Sequence, residues 1–167
     1  MRRTIIALAC LLALAASATA TGFSKGASYA GPLVGFGKWD LVLGGQYEHA
    51  ISRYVGMGAI GAFSHKSYGY DEGDASYTYI ALGFQCNYHF RQIEDFDLFA
   101  GGALGYNIVS ASWNSHAGFE QYHYAASGSE MFIYPMVGAN FPVGRKTAIQ
   151  TRVGYPYYIA LGLNFKL

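Results

Sequence analysis

Apolar and polar residues alternate without a break over the segment Ile159 to Leu167. Ile159, Leu161, Leu163, Phe165 and Leu167 share one face; Ala160, Gly162, Asn164 and Lys166 share the other. A period of two marks a strand with one apolar face and one small or polar face. The same pattern recurs upstream and predicts seven further strands, at about 27–37, 39–50, 54–64, 77–90, 96–112, 131–141 and 147–154. Segment 77–90 is the clearest of these. Ile80, Leu82, Phe84, Cys86, Tyr88 and Phe90 oppose Tyr79, Ala81, Gly83, Gln85, Asn87 and His89. Segment 27–37 is the least regular.

The connections add a second signal. Those near 51–53, 91–95 and 142–146 are short, whereas 65–75 and 113–130 are long and polar. In an up-and-down barrel alternate connections lie at the same end, so the long ones share one rim and the short ones the other. The predicted fold is therefore all-β: an eight-stranded antiparallel up-and-down transmembrane β-barrel, closed between its first and last strands. Closure follows from the solvent, since lipid offers no hydrogen-bond partner to an open sheet edge.

Composition sharpens this picture. Gly (22), Tyr (15) and Phe (11) are abundant, Pro (4) is scarce, and no helical stripe is present, which favours strands throughout. The N-terminus opens with Arg2 and Arg3, continues as an apolar run from Ile5 to Ala16, and reaches the small-x-small triplet Ala18-Thr19-Ala20. That order predicts a cleaved secretory signal over 1–20 and a barrel domain over 21–167. The apolar run is too short for a helix to cross the bilayer. After cleavage Cys86 stands alone, so no internal disulfide is expected. Charge is nearly balanced and no basic run points to nucleic acid.

The face opposite the lipid is expected to fill the barrel. It carries a polar network drawn from Asp40, Glu48, Gln85, Asp97, Arg152 and Lys166, joined by Gln46, Asn87, Asn107, Asn140 and Gln150. Eight strands enclose a space just wide enough for side chains, so a plugged lumen is expected rather than a pore. Aromatics fall where strands should meet the interfaces. Tyr54, Tyr88, Phe90, Phe96 and Phe141 lie towards the short turns, and Trp39, Phe63, Tyr77, Trp113, Tyr157 and Tyr158 towards the long loops.

This layout resembles the small outer-membrane β-barrels that include the OmpA transmembrane domain and OmpX. The signal sequence, the Gly-rich alternating strands, the loop asymmetry and the terminal Leu161-Gly162-Leu163-Asn164-Phe165-Lys166-Leu167 carry the likeness. The family's terminal aromatic residue, read by the barrel assembly machinery, is replaced here by Leu167, with Phe165 two positions earlier. The resemblance implies a Gram-negative outer membrane, contact with lipid and lipopolysaccharide, and a structural, adhesive or defensive role without catalysis.

Little else in the chain points to chemistry. His65-Lys66-Ser67, followed by Asp71 and Glu72, has the His-x-Ser spacing of a PagL-type lipid A deacylase, but Tyr68 stands where that motif has Asn. His116, Glu120 and His123 lack the converging set that a metal needs, and Asp71-Glu72-Gly73-Asp74 lacks the spacing of a Ca²⁺ loop. No catalytic, cofactor or metal site is expected. Tyr68, Tyr70, Trp113, Phe119, Tyr122 and Tyr124 make the long loops aromatic and are the candidates for contact with an extracellular protein or glycan. Two alternatives stay open: a soluble secreted barrel with an apolar ligand, and a lipid A-modifying enzyme.

Overall fold

The computed structural model describes residues 22–38, 40–71, 73–90, 96–115 and 123–167, with only the backbone of 123 and 124. The signal segment 1–20 lies outside the described residues. Eight strands run in order: β1 (Ser28–Gly37), β2 (Asp40–Ala50), β3 (Val55–Tyr70), β4 (Gly73–His89), β5 (Asp97–Ser115), β6 (His123–Pro142), β7 (Thr147–Gly154) and β8 (Tyr157–Lys166). Each pairs antiparallel with its neighbours, and β1 closes on β8 from Tyr29↔Lys166 to Phe36↔Ile159. The eight-stranded up-and-down barrel read from the alternation is the fold observed. The irregularity of the first strand also has a visible cause. Gly31 and Pro32 make no ladder pairs with β8, and Pro32 has no amide hydrogen to give.

The outward face is apolar. Leu82, Tyr106, Ile133, Ile159 and Leu161 are each more than half exposed, which a water-soluble fold would not tolerate over so continuous a band. At the short-turn rim Tyr54 stacks on Tyr88, Tyr88 meets Phe90 edge-on, and Phe96 packs on Phe141. Cys86 lies on the outward parity, a small apolar residue between Met57 and Gly102. Glycines on the inner face let bulky rings lie flat on the wall. A Cβ at Gly83 would stand 2.9 Å from Phe132 Cζ, and one at Gly105 would stand 2.8 Å from the same atom.

The expected long loops prove to be strands. β3 pairs with β4 as far as Tyr70↔Gly73, and β5 pairs with β6 as far as Asn114↔His123. The described residues of 65–75 and 113–130 are mostly ladder, not loop. Their Tyr and Trp residues favour strands, but with no lipid on either side they show no apolar alternation for a periodicity reading to detect.

These extensions outrun their flanking neighbours. β2 pairs with β3 only from Gly56 to Phe63, and β7 pairs with β6 only from Met136 to Pro142. Above that level β3 to β6 continue as a four-stranded blade projecting past the barrel wall. One edge of the blade is β3 from Ser64 and the other is β6 before Pro135, the residue at which pairing with β7 has already stopped.

Candidate functional site

The lower lumen holds a buried charge cluster. Alternation turns Glu48 of β2, Asn87 and His89 of β4, Asp97 of β5 and Asn140 of β6 inward at one level. His89 lies between the two carboxylates: Nδ1 is 2.8 Å from Asp97 Oδ2 and Nε2 is 3.1 Å from Glu48 Oε1. Ionised carboxylates only accept, so a ring that bonds both through its two nitrogens is an imidazolium donating twice. Asn87 Nδ2 donates to Glu48 at 2.9 Å, and Asn140 Nδ2 donates to Asp97 at 3.0 Å. Gln150 and Asn164 extend the set through Asn140 Oδ1.

Arg152 occupies the next level. Its Nη1 donates to Gln46 Oε1 at 2.8 Å and its Nη2 to Gln85 Oε1 at 3.2 Å, with Met136 Sδ also against Nη2. The guanidinium lies over the Phe99 ring. Two carboxylates, one imidazolium and one guanidinium sum to zero, so the buried charges balance within the lumen, as an apolar shell requires.

Above them comes an apolar layer of Leu33, Val42, Ile60, Ala62, Phe132 and Tyr157. The hydroxyl of Tyr155 donates to Asn107 Oδ1, whose amide donates to Glu130. Below the charge cluster, the segment 22–26 tucks under the barrel mouth. Phe23 stacks on the His89 ring with centroids 3.5 Å apart. Tyr29 holds Ser24 N and Gly22 O, and Lys166 Nζ donates to Ser24 Oγ at 2.9 Å. One pocket at this mouth, between Tyr29, Glu48, His89 and Lys166, holds about 30 Å³, space for a water or two.

Of the six residues expected in the lumen network, Glu48, Gln85, Asp97 and Arg152 lie in it, and Lys166 stands at its short-turn mouth. Asp40 does not. It follows the β1–β2 turn with φ of +67° and faces water, where it pairs with Lys66. Its parity points inward, but the wall ends below it. The Asp40 carboxylate hydrogen-bonds the Lys66 ammonium and holds its pKa above the ordinary lysine value.

Tyr157 is a second correction. Expected on the outer girdle, it is fully buried, with its hydroxyl 3.4 Å from Gly61 O. A register irregularity between Arg152 and Gly154 breaks the alternation of β8 at its start and turns this ring inward. His89 and Phe23 were missed as site residues. His89 already showed itself on the polar face of its strand, but Phe23 lies in a non-periodic leader that gave no signal.

The blade carries the remaining candidates. Across β3, β4 and β5 the outward row Phe63–Ile80–Ile108 is followed one step higher by His65–Thr78–Ser110, and then by Ser67–Ser76–Ser112. The outer face thus changes from apolar to hydroxyl-rich within one rung, which marks where hydrocarbon ends. On the opposite face Tyr68, Tyr70, Tyr77, Tyr79 and Trp113 continue the lumen side as an aromatic surface. Tyr68 meets Tyr77 edge-on, Tyr70 packs on Trp113 at 5.6 Å, and Lys66 Nζ lies 4.9 Å over Tyr68. Tyr68 and Tyr70 are 40% and 55% exposed. Phe119, Tyr122, the side chain of Tyr124, Trp39, Glu72, His116, Glu120 and the side chain of His123 lie outside the described residues. Among those described, no group of three His, Cys, Asp or Glu side chains could hold a metal ion.

His65 and Ser67 are neighbours on the outer face of β3. The Ser67 hydroxyl is 3.3 Å from His65 Nε2, and Nδ1 faces the Thr78 hydroxyl at 3.0 Å. A neutral hydroxyl holds the position where a hydrolytic triad keeps an acid to stabilise the charged imidazole.

No protein-family model matches the chain, and no curated protein matches it. Solved structures do. A de novo designed transmembrane β-barrel shares 14% identity over 86% of this chain and 98% of its own, with a TM-score of 0.55. Ail, the attachment invasion locus protein of Yersinia pestis, shares 19% identity over 86% of this chain and 99% of its own, with a TM-score of 0.50. A second Ail structure, in complex with the heparin analogue sucrose octasulfate, gives 20% identity over 86% and 100%, with a TM-score of 0.51. Together with the closed ring of eight strands and its apolar outer band, these likenesses make the fold that of a small transmembrane β-barrel.

Proposed function

We propose that this chain is a non-enzymatic outer-membrane protein of a Gram-negative bacterium, exported through a cleaved signal, whose lumen is a structural plug and whose blade contacts an external partner. The observation that carries the reading is the blade. A sheet that leaves the bilayer with two edges unpaired among the described residues offers rows of backbone donors and acceptors to another chain. Natural edge strands are usually guarded by Lys or Pro. From His123 to Tyr134, β6 has neither, and it is rich in Ala, Ser and Gly. The partner it suits is an extended protein segment that adds as a strand beside β6, with side chains reaching the tyrosine face.

The charge of this end argues against polysulfated glycans. Asp40, Asp71, Asp74 and Glu130 outnumber Lys38 and Lys66 among the described residues there. Ail holds such a ligand analogue in one structure, but a like-charged surface would repel it.

Trimming the blade tests the reading. Lys66–Tyr77 and Ser112–Ala125 would each be replaced by an Asn-Gly turn, at rungs that are paired in the native sheet. Cells displaying the full barrel are expected to adhere to arrays of extracellular proteins more than to glycans. The trimmed barrel should still fold but lose that adhesion. Unchanged adhesion after trimming would contradict the proposal. For the enzymatic alternative, Ser67→Ala is expected to leave the lipid A profile unchanged by mass spectrometry. A changed profile would reassign His65 and Ser67 to catalysis.

A further inference from the structure

The two ends of the barrel carry opposite charge. Among the described residues, the short-turn end bears Lys25, Arg53, Arg145, Lys146 and Lys166 and no solvent-exposed Asp or Glu side chain. The two carboxylates nearest this end, Glu48 and Asp97, are buried and already engaged by His89. Lys25, Arg53, Arg145 and Lys146 are exposed, and none forms an ion pair within the described residues. The sequence adds Arg91 with Glu94 and Asp95 in the β4–β5 connection, so the end stays basic when these are counted.

These cations have a fixed depth. Arg53 directly precedes Tyr54, and Tyr54, Tyr88, Phe90, Phe96 and Phe141 form the short-turn girdle. Aromatic girdles settle at the headgroup level of a bilayer. Arg145 and Lys146 occupy the β6–β7 turn just beyond Phe141, and Lys25 lies in the segment below the mouth. The collar therefore meets the membrane at the level of lipid phosphates.

We infer that this basic collar binds the headgroups of anionic phospholipids in the leaflet it faces. Exposed cations without an ion-pair partner among the described residues, next to an apolar belt, gain most from phosphates held in the same plane. A soluble acidic partner would have to approach past the headgroups. The inference rests on the barrel spanning a bilayer and not on what the blade binds.

The test is native mass spectrometry of the barrel released from vesicles of phosphatidylcholine and phosphatidylglycerol at 9:1. Each Lys or Arg near an anionic surface is worth about a 5-fold preference. Bound phosphatidylglycerol is therefore expected to exceed its bulk share by at least about 5-fold. The quadruple variant Lys25→Ser, Arg53→Ser, Arg145→Ser, Lys146→Ser should return to the bulk ratio. The charge-preserving set Lys25→Arg, Arg53→Lys, Arg145→Lys, Lys146→Arg should keep the enrichment. If the serine variant does not fold, the wild type still decides the matter. Its enrichment should fall away in high NaCl and should survive inorganic phosphate at matched, low ionic strength. A wild type that binds the bulk ratio, or an enrichment indifferent to salt or to the serine set, would overturn the inference. Loss on adding phosphate but not NaCl would assign the collar to soluble phosphate instead and would also overturn it.

Discussion

Replacing His89 by alanine is expected to destabilise the barrel by about 3–5 kcal/mol. The ring is buried and is the shared donor to Glu48 and Asp97. Without it two carboxylates face each other inside a lipid-clad wall, hydrogen-bonded among the described residues by the amides of Asn87 and Asn140 and with the Arg152 charge one level away. Phe23 also loses the ring on which it stacks. Removing one member of a buried charge set leaves the others uncompensated, whereas neutralising the set together costs little. The quadruple variant Glu48→Gln, His89→Gln, Asp97→Asn, Arg152→Gln, which removes all four buried charges, should therefore lie much closer to wild type than His89→Ala does. Urea unfolding in lipid vesicles measures both. Equal midpoints for His89→Ala and wild type would show that the cluster contributes nothing.

The second large effect belongs to the outer face. Leu161 and Leu82 are each 56% exposed and lie mid-strand. Arginine at a lipid-facing midplane position costs about 2–4 kcal/mol, less near the interfaces. Leu161→Arg and Leu82→Arg should both fall in that range. Arginine at Ser112, on the outer face but above the apolar-to-hydroxyl boundary, should cost under about 1 kcal/mol. The contrast separates a lipid-facing wall from a merely exposed one. A Leu161→Arg barrel that folds and inserts like wild type would show that this face does not meet hydrocarbon.

How far the sequence could be read follows from where one side of the sheet meets lipid. Between the girdles alternation places every strand, and it predicts β7 at its observed bounds, Thr147–Gly154. Beyond the hydrocarbon boundary that contrast disappears. The upper rows set Ser and Thr on one face against Tyr and Trp on the other, with no lipid-facing aliphatic row, so the alternation predicts loop where the blade stands. The lumen was legible by parity alone, which put Glu48, Gln85, Asp97 and Arg152 inside. Parity fails where the wall ends, as at Asp40, and where a bulge shifts it, as at Tyr157. Whether Glu48 and Asp97 share a donor depends on the stagger of β2, β4 and β5, and no single strand reveals that. Phe23 was invisible because its place under the mouth comes from tertiary packing alone.

The measurement that bears most directly on a closed barrel in the outer membrane is electrophoresis of the outer-membrane fraction with and without boiling. A closed transmembrane barrel resists SDS until heated, so the protein should appear in that fraction and change its migration on boiling. Unchanged migration, with the protein recovered in the soluble periplasmic extract, would contradict the account.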